Sequence, residues 1–126
     1  MRKIIAVDFD GTLCENKYPE IGEPNQYVID ELKKRQKKGD ALILWTCRTG
    51  NRLSEAVEWC MVQGLVFDRV NENLPEIIEA FGEDSRKITA TEYWDDRSVI
   101  VSKQINVVYE RPYQIITYPA VPEARE

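Results

Sequence analysis

Ile4-Ile5-Ala6-Val7 runs straight into Asp8-Phe9-Asp10-Gly11-Thr12, so an apolar strand ends abruptly in two carboxylates one residue apart. In an open α/β sheet, ligands bind at the carboxyl ends of the strands, so this pair stands where chemistry rather than packing is done. Gly11 allows the sharp backbone turn behind it.

Working outward, residues 13 to 24 hold Pro19, Gly22 and Pro24 among mixed polar residues and read as an irregular excursion. Asn25 to Lys38 is helical in pattern: Val28, Ile29 and Leu32 form the apolar stripe, lysines gather at the C-terminal end, and Gly39 stops the helix. Ala41-Leu42-Ile43-Leu44-Trp45 is a continuous apolar run suited to a strand covered on both faces. A second helix carries Leu53, Ala56, Val57, Cys60 and Met61 and ends at Gly64. A strand at about 65 to 70 follows, then a helix opened by Pro75 and closed by Gly82. The next strand is expected from about Ala90 to Trp94.

This alternation predicts an α/β fold, a three-layer α/β/α sandwich around a mainly parallel, Rossmann-like sheet. The β-rich runs at 98 to 101, 105 to 109 and 113 to 118 are too closely spaced for parallel crossovers and read as extra antiparallel strands. At 126 residues, 43% hydrophobic and 31% charged, the chain is expected to be one domain over 1–126, with 98–126 as a C-terminal extension. With no charged leader before an apolar core and no long apolar run, it is expected to be cytoplasmic and away from membranes.

Composition narrows the chemistry. The chain has no histidine, which removes Ser-His-Asp and Cys-His catalysis and imidazole metal ligands. Cys14, Cys47 and Cys60 form no CxxC pair, arguing against a disulfide framework or a thiolate zinc site. A net charge of −5 disfavours nucleic acid as the partner unless a local basic groove overcomes it.

The polar residues expected at one edge of the sheet are Asp8 and Asp10, Thr46 and Arg48, Lys87, and Asp95 with Asp96. Crowded carboxylates facing a phosphate need a hard cation with oxygen ligands, for which Mg²⁺ is the choice. Asp8, the Asp10 carbonyl and an Asp95/Asp96 carboxylate are expected to hold it, with Asp96 as the direct ligand and Asp95 behind it. Arg48 is expected to clamp phosphate with its planar fork, and Asn71 to line the substrate pocket. Cys47 belongs to this substrate-binding set as a small filler between Thr46 and Arg48.

In this order the residues resemble the haloacid dehalogenase superfamily: Asp8-Phe9-Asp10-Gly11-Thr12 is similar to its first motif, Thr46 to its second, Lys87 to its third and Trp94-Asp95-Asp96 to its fourth. The resemblance implies a phosphomonoester hydrolase in which Asp8 attacks phosphorus to form an aspartyl phosphate. Asp10 would protonate the leaving oxygen and later activate water. Lys87 would pair with Asp8 and the phosphate, and Thr46 would hydrogen-bond phosphoryl oxygens. The substrate would be a sugar phosphate, a nucleotide or a phosphorylated polymer end.

Plainer readings carry less of the pattern. A calcium loop beginning at Asp8 would need Gly at its sixth position and an acid at its twelfth, where Leu13 and Pro19 stand. A Cys-x5-Arg phosphatase loop is one residue too long for Cys47 and Arg52. Asp10 favours a phosphatase over a dehalogenase. The competing class is a phospho-aspartate signalling or binding module, with a nucleic-acid end phosphatase as a further variant. Neither gap that carries a cap domain in such proteins is long enough here, so the site is expected to be open. The C-terminal strands could pair in a homo-oligomer, with Pro112 and Pro119 limiting edge growth.

Overall fold

The computed structural model describes residues 2–102 and the strand segments 107–110 and 114–117, with side chains over residues 2–101. In chain order the elements are β1 (Ile4–Val7), β2 (Cys14–Lys17), β3 (Glu20–Pro24), α1 (Gln26–Lys37), β4 (Ala41–Leu44), α2 (Gly50–Val62), β5 (Arg69–Val70), α3 (Pro75–Phe81), β6 (Glu92–Trp94), β7 (Ile100–Ser102), β8 (Val107–Glu110) and β9 (Gln114–Thr117). They divide into two compact units, Met1–Trp94 and Asp95–Glu126.

The first unit is α/β. Its sheet has four parallel strands in the order β5-β4-β1-β6, with β1 in register against both neighbours: Val7 lies opposite Leu44 on one side and Trp94 on the other. Side chains along a strand alternate between faces. Ile5, Val7, Leu42 and Leu44 therefore pack with Ile29 and Leu32 of α1 and Ala56 and Cys60 of α2. Ala6, Ala41 and Ile43 point the other way, to Leu74, Ile88 and half-buried Ile77 of α3. Leu42, Ile43 and Leu44 are all fully buried, which accounts for the unbroken apolar run: no residue of β4 faces water. Each such side chain contributes about 2 kcal/mol on burial.

The helix signals act through recognisable caps. The Asn25 side chain accepts from Val28 N at the start of α1, and Gly39 (φ 104°) turns the chain into β4. The segment after β1 differs from the irregular excursion its composition suggests: β2 and β3 form an antiparallel hairpin, with a cis Tyr18–Pro19 peptide at its turn. Only Cys14 of β2 is buried, so little apolar alternation marks these strands. Gly22 is needed there because a Cβ would fall 2.2 Å from the Glu15 carbonyl oxygen.

The strand expected at 65 to 70 is only two residues long. Asp68 explains the shortening, because its carboxylate, rather than a strand carbonyl, accepts the Leu42 N–H at 2.8 Å. Leu65 is buried in the core outside any strand. Similarly β6 starts at Glu92, because the Thr91 side chain takes up the Ile4 backbone groups.

In the second unit β7, β8 and β9 form an antiparallel sheet in that order, with Val101 opposite Val108 and Val108 opposite Ile116. Residues 103–106 and 111–113, and with them Pro112, lie outside the described residues, as does Pro119. Among the described residues no helix is long and apolar enough to cross a membrane.

The amino ends of three strands in the first unit are tied by Arg35, in the last turn of α1. Its Nε donates to Asp40 at 2.7 Å and its two terminal nitrogens to the Glu92 carboxylate at 3.0 and 2.7 Å. Asp40 in turn accepts from Lys3 N. The Arg35 guanidinium, helped by Trp94 Nε1, holds the Glu92 carboxyl down at about 2, against an ordinary 4.5. Because the folded-state value is depressed, this stabilisation is complete above pH 4.5 and disappears as the pH falls from there toward 2. Glu92→Gln is expected to lower stability at pH 7 by about 1–2 kcal/mol. Urea titrations of both proteins check this: the gap between them should narrow steadily below pH 4.5, and a gap independent of pH would contradict the ionic account.

Candidate active site

Three parallel strands deliver polar residues to one edge of the sheet. Beyond β1, Asp8 N donates to the Trp94 carbonyl of β6. Beyond β4, Trp45 N donates to the Val7 carbonyl, and Asn71 N, just past β5, donates to the Leu44 carbonyl. Asn71, Thr46 and Asp8 therefore follow β5, β4 and β1 in sheet order. Asp8 is half-buried, and its Oδ1 accepts the next amide, Phe9 N, at 2.8 Å.

Behind Asp8 the chain folds tightly. Thr12 N and Leu13 N both donate to the Phe9 carbonyl, and Gly11, at φ 89°, donates to Cys14. Phe9 and Leu13 are fully buried and anchor the turn, returning Asp10 toward the base of the hairpin. Thr12 Oγ1 is buried there with no hydrogen-bond partner among the described residues.

Arg48 is the largest fully buried side chain among the described residues, at 1% exposure, and this is where the site differs most from its expected layout. Its Nε and Nη2 donate to the two Asp10 oxygens, both at 2.8 Å. Nη2 also donates to the Glu20 carbonyl, and Nη1 to the carbonyls of Pro19 and Arg52. All five guanidinium N–H groups are thus engaged inside the protein, leaving none for a phosphate. The Phe9 and Tyr18 rings lie 4.9 and 5.0 Å from Arg48 Cζ. The hydrogen bonds to Asp10 raise the Arg48 pKa against the opposing effect of burial. Arg48 therefore acts as an internal brace joining Asp10, the hairpin tip and the start of α2, rather than as a ligand clamp.

Thr46 is half-buried and held from both sides. Its amide donates to Asn71 Oδ1 at 2.8 Å and its hydroxyl accepts from Arg48 N at 3.1 Å. Asn71 does this from the left-handed region, φ 56°, which asparagine tolerates better than most side chains. It fixes the end of β4 while remaining exposed. Cys47 between Thr46 and Arg48 is exposed, whereas Cys14 and Cys60 are buried. Burial pushes the Cys14 thiol up and that of Cys60 to about 12, so neither is a ready nucleophile.

Lys87 is exposed, with its ammonium 5.4 Å from the centroid of the Tyr93 ring. Its loop is held by Asn73, which is fully buried. Asn73 Nδ2 donates to Asp84 Oδ1 at 2.8 Å and its Oδ1 accepts Thr89 N at 2.7 Å, closing residues 84 to 89 around one amide. Ser85 Oγ then donates to the Lys87 carbonyl. No local sequence pattern signals this role of Asn73. Asp95 is exposed and accepts Arg97 N at 2.6 Å; Asp96 is half-buried.

No protein-family model and no curated protein matches the chain. A solved structure does: a conserved protein from Bacteroides thetaiotaomicron, 44% identical, with a TM-score of 0.69 and an alignment covering 78% of each chain.

The arginine brace sets an expectation for stability. Arg48→Met, which strands the Asp10 carboxylate, should cost about 3 kcal/mol or more. Arg48→Lys should recover little of this, since one ammonium cannot meet both carboxylate oxygens and three carbonyls. Arg52→Ala leaves the Arg52 carbonyl in place and should stay within about 0.5 kcal/mol of the parent. Thermal and urea unfolding measure all three, and an Arg48→Lys variant as stable as the parent would refute the brace.

Proposed function

We propose that this chain, which belongs to the same family as the Bacteroides thetaiotaomicron protein, is a Mg²⁺-dependent phosphomonoester hydrolase that works through an aspartyl phosphate. The observation that carries the reading is the acidic pair at the end of β1: Asp8 directly follows this interior strand, and two residues on Asp10 has both carboxylate oxygens held by Arg48. The motif order that resembles the haloacid dehalogenase superfamily supports it. So does the distribution of helices, α1 and α2 against one face of the sheet and α3 against the other, from which we infer a three-layer sandwich.

In this reading an Asp8 oxygen attacks phosphorus, an Asp8–phosphorus bond forms, and the bond to the leaving oxygen breaks. Asp10 enters this step protonated, gives its proton to the leaving oxygen and takes one from the water that next attacks phosphorus, which breaks the Asp8–phosphorus bond, releases phosphate and restores both acids. Each Asp10 oxygen accepts one Arg48 N–H and keeps a second lone pair, so the brace orients the carboxylate without occupying it fully. Thr46 supplies a hydroxyl at the neighbouring strand end, and Lys87 a cation for the phosphoryl oxygens.

We assign the ion to Asp8, the Asp10 carbonyl and Asp96, with Asp95 behind it. Asp8, Asp95 and Asp96 are carboxylates able to offer one oxygen each, and an all-oxygen donor set suits a hard cation. When bound, Mg²⁺ would neutralise charge on the phosphate and the crowded acids. With no cap in the chain's first unit, substrate choice falls to Thr46 and Asn71. We further infer a cytoplasmic protein that acts on small phosphomonoesters and can pair through its C-terminal strands.

The test is phosphate release by the full chain from sugar phosphates, nucleotides, p-nitrophenyl phosphate and 3′- or 5′-phosphorylated oligonucleotides. Release should require Mg²⁺, stop with EDTA, and fall at least about 1,000-fold in Asp8→Asn with an unchanged melting temperature. Stable labelling of Asp8 by acetyl phosphate without turnover would instead identify a phospho-aspartate signalling module. Activity that survives Asp8→Asn would reject the nucleophile.

A further inference from the structure

We infer that Tyr18, at the tip of the β2–β3 hairpin, is a positioning residue for Asp10, acting through Arg48. The kinetic part of this inference rests on the phosphatase reading above; the structural part stands on contacts within the first unit. Arg48 Cζ lies over two rings, Phe9 at 4.9 Å and Tyr18 at 5.0 Å. Phe9 belongs to the core, but Tyr18 is 58% exposed, so one of the two rings against the buried guanidinium lies at the surface.

The next two residues after Tyr18, Pro19 and Glu20, supply carbonyls that accept from Arg48 Nη1 and Nη2. Ring and carbonyls therefore come from one three-residue tip. The tip's backbone is tied in turn by Tyr18 N, which donates to Asn16 Oδ1. The same guanidinium grips both Asp10 oxygens. Removing the ring would open a face of Arg48 to water, which competes for the N–H groups that now orient Asp10. A proton donor and acceptor works only when its oxygens are correctly placed, so a looser Asp10 slows chemistry without weakening ground-state binding.

Tyr18 is well suited to testing because its exposure makes substitution safe for the core. Tyr18→Phe keeps the ring and should retain kcat and KM within about twofold. Tyr18→Ala should lower kcat about five- to tenfold with KM within about twofold, and should speed water exchange of the Arg48 Nε–H, followed by ¹⁵N NMR, about tenfold. Unchanged kcat in Tyr18→Ala, equal losses in Tyr18→Phe and Tyr18→Ala, or an effect confined to KM would each overturn the inference; the last would mean that the ring touches substrate. If the parent protein releases no phosphate from any substrate, the phosphatase reading fails by itself. The Arg48 exchange rates then decide the coupling, and equal rates in parent and Tyr18→Ala refute it.

Discussion

The position of β1 governs the rest of the first unit. It is hydrogen-bonded to a parallel partner on each side and covered by a hydrophobic cluster on each face, so a polar side chain along its length would lose water without gaining a partner. Polar chemistry is displaced to the strand's ends. At the amino end the Arg35, Asp40 and Glu92 network closes the sheet, and at the carboxyl end Asp8 emerges where the ladder stops.

Each sheet end is secured by an arginine with a different burden. Arg35 is partly solvated and uses two carboxylates, so its contribution varies with pH in the acid range. Arg48 is dry and meets one carboxylate and three carbonyls, an arrangement only a planar five-donor fork can satisfy. Its burial ties the hairpin after β1 to the body of the first unit, since Pro19 and Glu20 provide two of those carbonyls. Asn71 and Asn73 do comparable work by simpler means, each closing a loop around one side-chain amide.

Much of the architecture is legible in the sequence. The unbroken apolar runs at 4–7 and 41–44 mark strands buried on both faces, and Asn25, Gly39, Pro75 and Gly82 mark helix ends, because these signals depend on neighbours a few residues away. The elements that escaped are those in which a side chain substitutes for backbone. Asp68 shortens β5 by taking a ladder hydrogen bond, Thr91 delays β6 in the same way, and the hairpin shows no clean alternation because most of its residues face water.

For the site, the sequence alone determined which residues lie at strand ends: Asp8 and Thr46 follow unbroken apolar runs, and the alternation of strands and helices around them points to a parallel sheet. What only the tertiary structure decided is where Arg48 points. Its sequence position, two residues beyond Thr46, is equally compatible with reaching outward to a phosphate or inward to Asp10. The outcome depends on acceptors 28, 29 and 38 residues away that converge on one guanidinium. A charged group enters a protein interior only when all its hydrogen bonds are met there, and that sum is taken over the folded chain rather than over any local stretch of it.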